Sequence, residues 1–78
     1  MKILVKIEED YLIGFFPEFP GTNDPDTFEC FTFQDGHNYA DLGYINSLKN
    51  PSETKAQEFV KELEDFYSSI PLERVDKV

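Results

Sequence analysis

The sequence predicts a single α+β domain over residues 1–78: a two-layer fold in which an antiparallel sheet of three to four strands carries two helices on one face. Three observations predict it. Residues 3–33 hold short β-prone runs that alternate or mass apolar side chains, separated by turn residues. Residues 53–68 repeat apolar positions at helical spacing. The chain has 78 residues, enough for one core and no more. The element order is β-β-β-α-α-β, and a sheet backed by helices is the usual way for such elements to bury their apolar sides.

The first strand is read from Ile3, Val5 and Ile7, which alternate with Lys2, Lys6 and Glu8; Leu4 breaks the polar side. Glu8, Glu9 and Asp10 make a turn, and Tyr11–Phe16 is a second strand, so the pair reads as an antiparallel hairpin. Gly14 in mid-strand marks a bulge or the close approach of another backbone. Residues 17–27 hold three prolines and a glycine and read as the main loop, with Phe19 pinning it to the core. Thr27–Phe33 is a third strand, with Phe28, Cys30 and Thr32 on one side and Glu29, Phe31 and Phe33 on the other. Gln34, Asp35 and Gly36 then turn the chain.

The segment 39–48 reads as a short helix capped by Asn38, although Leu42–Ile45 also suits a strand. The helix at 53–68 is the clearest element. Ser52 is its N-cap, and Glu53 suits the positive end of the helix dipole. Ala56, Phe59, Val60, Leu63, Phe66 and Tyr67 form its apolar stripe, and Lys61 can pair with Asp65. Pro71 stops it, and Leu72–Val78 is a short edge strand or a frayed end.

Charge limits the partners. Sixteen carboxylates face seven Lys and Arg, for a net charge of −9. That disfavours direct contact with nucleic acid or an anionic membrane and allows a basic protein partner. The single cysteine, Cys30, cannot close an internal disulfide, and the Met1–Lys6 segment is too short and too interrupted for a signal peptide. A cytoplasmic location is the simplest expectation.

Residues 3–27 resemble the start of HicB-type antitoxins. The likeness lies in Ile7-Glu8-Glu9-Asp10-Tyr11 and Phe16-Pro17-Glu18-Phe19-Pro20-Gly21, about a third of the chain. It implies neutralisation of a basic RNA-cleaving toxin. The likeness ends at Phe28–Phe33, where that family continues into a helix, and the DNA-binding segment of many members has no counterpart here. From the aromatic strand through Asp35-Gly36-His37, Ala40 and Tyr44 to the Pro51-led helix, the chain is similar to small uncharacterised proteins of bacteria, phages and mobile elements. Together these imply a small accessory protein of a phage or mobile element.

Catalytic and ligand chemistry find little support. His37 beside Asp35 could act as a base in a minor hydrolase, but a turn or helix-cap role suits it better because no nucleophile is spaced to work with it. Cys30 with His37 would make a thiol–imidazole pair, yet Cys30 sits mid-strand among aromatics. One His, one Cys and scattered acids do not make a zinc site, and Asn23-Asp24-Pro25-Asp26 lacks calcium-loop spacing and reads as an Asx turn. No catalytic, cofactor-binding or metal-ligating residue is expected, and no cofactor. The acids of the last helix read as its solvated side; a carboxylate array imitating DNA phosphates is the sharper alternative. The expected function is non-enzymatic masking of a protein surface, with Phe31, Phe33, His37, Glu58, Glu62 and Asp65 as partner-binding candidates, and the sheet edge or aromatic face as a route to a homodimer.

Overall fold

The computed structural model describes residues 1–67 and 70–77. It shows an α+β fold built on a mixed sheet of five strands. These are β1 (Lys2–Glu8), β2 (Tyr11–Pro20), β3 (Thr27–Thr32), β4 (Gly36–Asp41) and β5 (Glu73–Arg74), in spatial order β4-β3-β2-β1-β5. Helix α1 (Leu42–Ser47) follows β4, and α2 (Glu53–Tyr67) precedes β5. Residue 68, the expected last residue of the second helix, and residue 78, the expected end of the edge strand, lie outside the described residues. None of the described helices is long and apolar enough to cross a membrane.

The β1–β2 hairpin forms as its alternation requires, with Leu4 opposite Phe15 and Val5 opposite Gly14. Glu9 in its turn takes a positive φ of 54°. β2 runs further than expected, through Phe16-Pro17-Glu18-Phe19-Pro20. The prolines fit because they lie beyond Leu4↔Phe15, the last pair with β1, so their missing N–H groups cost no bond in that ladder. Pairing with β3 shifts register between Phe16 and Pro20. Phe19, expected to pin this stretch to the core, is instead exposed.

β4 is an additional strand where a helix over 39–48 was expected. It pairs with β3 in full register, from Thr27↔Asp41 to Thr32↔Gly36, and Gly36 takes a φ of +75° at the turn. Asn38 therefore lies in a strand. The cap of α1 is Asp41, whose Oδ1 accepts from Tyr44 N at 2.9 Å. At α2 the expected cap is present: Ser52 Oγ accepts from Lys55 N at 3.2 Å. No ion pair joins Lys61 to Asp65 among the described residues.

Strand alternation divides the core in two. Ile3, Val5, Phe16 and Phe31 point to one face and pack under Ala56, Phe59, Val60 and Leu63 of α2. Leu4, Ile13, Phe15 and Cys30 point to the other and pack against Ile45 of α1. The two helices therefore cover opposite faces, not one. The physical cause is the route after β4. Asp41 starts α1 directly, and the chain crosses the sheet to reach Ile7, whose N–H binds Lys49 O at 2.9 Å. This also explains Leu4, which breaks the polar side of β1 because that side is buried too. At Gly14 a Cβ would meet Ile3 Cδ1 at 2.7 Å and Phe59 Cε1 at 3.1 Å, so its bareness lets α2 approach.

β5 closes the other edge, parallel to β1, with Glu73 N donating to Met1 O and Val75 N to Ile3 O, each at 2.9 Å. Arg74 pairs with Glu53 at the start of α2. Glu64 Oε2 accepts from Leu72 N at 2.8 Å, which ties the returning chain to the helix.

Candidate functional site

Three of the expected partner-binding residues meet at one place, the seam between α2 and the β3–β4 hairpin. Phe31 forms its base and is only 4% exposed. Phe33 stands edge-on to it at 5.1 Å between ring centres, Phe66 lies at 5.5 Å, and the His37 ring at 5.0 Å. Above this base Phe33 is 43% and Phe66 61% exposed. Phe66 was expected in the core with the rest of the apolar stripe. It falls instead at the margin of the sheet, where it covers Phe31 from one side and leaves the rest of its ring in water. Each ring rests on other rings, at centroid distances where aromatic pairs attract.

Glu58, Glu62 and Asp65 are all exposed. They recur at i, i+4 and i+7 on α2 and form one acidic stripe leading to Phe66. The structure does not bring them into contact with His37.

His37 is engaged on both nitrogens. Nδ1 lies 3.0 Å from Glu29 Oε1, and Nε2 meets the Tyr67 hydroxyl. A neutral ring satisfies both by donating from Nδ1 and accepting at Nε2. Burial, and then the negative charge of Glu29, hold the Tyr67 phenol above its ordinary pKa, which keeps it protonated as the donor. Alternation along β3 settles the thiol–imidazole idea. His37 is opposite Phe31 and shares its face, whereas Cys30 is opposite Asn38 and belongs to the other. Burial, and then Glu29, also push the Cys30 thiol up, away from a reactive thiolate.

The Asn23–Asp26 segment forms the expected Asx turn, with Asp24 Oδ1 accepting from Asp26 N at 3.0 Å. Among the described residues no group of three or more His, Cys, Asp or Glu is arranged to hold a metal ion.

A second feature escaped the sequence reading. On the face that carries α1, a concavity of about 400 Å³ opens beside the helix. Ile13, Phe15 and Cys30 contribute to its lining, as do Tyr11 and Tyr44, while Tyr39 borders it from β4 with its side chain on the other face. Glu8 and Asp35 bring carboxylates to it. Tyr44 O–H donates to Glu8 Oε2 at 2.6 Å, and this bond, ahead of burial, pushes the Tyr44 phenol up to about 12. One signal was available: Tyr11, Ile13 and Phe15 are alternate residues and share one side of a strand.

Compared with family models, with curated proteins and with solved structures, the chain matches none of them.

Proposed function

We propose that the chain is a non-enzymatic binding protein that masks a basic surface of another protein, docking it on the α2–β3–β4 seam. One observation carries this reading. Two large rings, Phe33 and Phe66, stand partly in solvent on the buried ring of Phe31, beside the acidic stripe of α2. Supported aromatic rings are typical anchors of protein interfaces. Flanking carboxylates, in a chain of net charge −9, select and steer a cationic partner. The same charge disfavours nucleic acid and anionic membrane as direct targets. The partner is a cytoplasmic protein, and the chain is an accessory of a phage or other mobile element.

Against a hydrolase, the surroundings of His37 support a structural role. Both its nitrogens are engaged, Cys30 lies on the other face, and Tyr67 is held protonated. A narrower form of the binding reading comes from the likeness of residues 3–27 to HicB-type antitoxins. The partner is then a basic RNA-cleaving toxin.

The test is affinity capture from a host lysate followed by rate measurements on the purified partner. The expected partner is rich in Lys and Arg and is lost on Phe66→Ala. Its association slows as salt rises, because the Debye length shrinks from about 10 Å at 0.1 M to about 3 Å at 1 M. Reversing Glu58, Glu62 and Asp65 to Lys slows association without unfolding the chain, since exposed helix charges add little stability. A partner indifferent to both Phe66→Ala and the triple reversal would overturn the reading. So would pairing of the β4 edge with a second copy that buries Phe33 and Phe66, seen as a stable dimer by sedimentation. An activity abolished by His37→Ala would restore the hydrolase.

A further inference from the structure

The concavity beside α1 has a composition that selects its ligand. Its walls include Tyr11 and Tyr44, which are 48% and 38% exposed; the Tyr39 side chain, opposite Glu29 in the β3–β4 register, projects to the other face. Ring faces turned to solvent are electron-rich and attract cations. Glu8 and Asp35 add negative charge, and none of the described lining residues is Lys, Arg or His. Ile13, Phe15 and Cys30 are buried apolar lining, suited to the aliphatic stem of a long cationic side chain. The wall is braced: the hydrogen bond from Tyr44 to Glu8 Oε2 fixes a ring against a carboxylate. Glu8 Oε1 has no hydrogen-bond partner among the described residues and is free to accept one.

We propose that this pocket binds an arginine side chain of the basic partner, its guanidinium lying between the tyrosine rings and donating to Glu8. Arginine is favoured over lysine because a planar, weakly hydrated guanidinium stacks on rings and meets a carboxylate in a fork geometry. The occupant is a protein side chain and not a small free cation, because the space exceeds that of a cationic head group alone and its apolar lining has use for a stem. The proposal rests on the binding reading above only for what bears the arginine. The pocket lies on the face opposite α2 and meets the aromatic seam at β4, so one partner gripping that edge can reach both.

The chain has no tryptophan, and two of its four tyrosines, Tyr11 and Tyr44, present their side chains on the pocket's face, so tyrosine emission responds to the site. The probe is a blocked Ala-Arg-Ala tripeptide, titrated at low salt, with amide chemical shifts followed in parallel. The expected result is saturable binding that shifts Tyr11, Ile13, Asn38 and Tyr44. Glu8→Gln, which keeps an acceptor for Tyr44, weakens binding about tenfold, and Tyr11→Ala about threefold. The neutral isostere with citrulline in place of arginine does not bind. The proposal is overturned if the citrulline peptide binds equally, if the lysine peptide or tetramethylammonium matches the arginine peptide, or if the shifts map to the acidic stripe of α2. If the arginine peptide fills the pocket while no basic partner is captured, the pocket stands and the partner reading falls. If a partner is captured through Phe66 but the peptide ignores the pocket, the reverse holds.

Discussion

The two faces of the sheet are closed by helices of very different length. On one face α2 spans fifteen residues, which is about 22 Å of helix. On the other α1 spans six, about 9 Å. A five-stranded sheet is roughly 19 Å across at the usual strand spacing. The long helix therefore seals its side, and four of its residues sit in one buried cluster with β1, β2 and β3. The short helix buries only Ile45 and leaves the outer half of its side as the tyrosine-lined concavity. The difference teaches that one face provides stability and the other has room for a ligand. Even on the sealed side, interaction surface remains where α2 runs to the margin of the sheet, at Phe66 and Phe33.

The largest effect should come from the sealed side. Leu63 is fully buried beneath α2, and Leu63→Ala should cost about 4–5 kcal/mol, because a cavity between a long helix and three strands cannot collapse. Ile45 is equally buried, yet Ile45→Ala should cost only about 2 kcal/mol, since α1 is short and borders open space. Denaturant unfolding of the two variants measures both. If Ile45→Ala is the more damaging change, the two faces do not divide their roles in this way.

The elements on the sealed side were also the ones legible in the sequence. Ile3, Val5 and Ile7 showed β1, and Ala56, Phe59, Val60 and Leu63 showed α2, because a face covered throughout leaves an unbroken periodic record. β4 was not legible. Gly36–Asp41 is an edge strand, exposed over much of its length, and its alternation is mostly polar on polar. Its sequence thus resembles a loop or the start of a helix. Pro17–Pro20 was read as loop because proline argues against a central strand, and only the end of the β1 ladder at Phe15 makes it tolerable. The seam was half legible: alternation placed Phe31 and Phe33 together, while Phe66 was expected inside. The pocket was hidden because β1, β2, the β3–β4 hairpin and α1 each contribute to it, and no single segment carries its pattern.

The next effect in size concerns how α1 is held. A six-residue helix has no intrinsic stability in water, so it depends on Ile45 and on its cap. Asp41→Ala removes the acceptor for Tyr44 N and should cost about 1 kcal/mol. The loss should be local. Hydrogen exchange should speed up at α1 amides while those of α2 stay protected. Equal loss of protection in both helices would mean that the faces open together and the contrast between them is only geometric.

The smallest effect tests the wall of the pocket itself. The hydrogen bond to Glu8 Oε2 pushes Tyr44 up to about 12 from its ordinary value of 10.0, because ionising the phenol would set two negative charges together. A raised folded-state value favours the protonated form in the fold. The contribution is therefore complete below the unfolded value and lost as pH climbs from about 10 through about 12. Tyr44 is 38% exposed, so solvent screening keeps that contribution small, and the site-resolved titration is more telling than the melting curve. Ring resonances followed through alkaline pH should show Tyr44 ionising well above the ordinary tyrosine range. Glu8→Gln should bring it down, while Tyr67, raised by burial and Glu29, stays where it was. If Tyr44 ionises at its ordinary value in the unaltered chain, the Glu8 bond does not persist in solution. The pocket then lacks its fixed ring and carboxylate, and the open face loses the feature that sets it apart from any uncovered sheet.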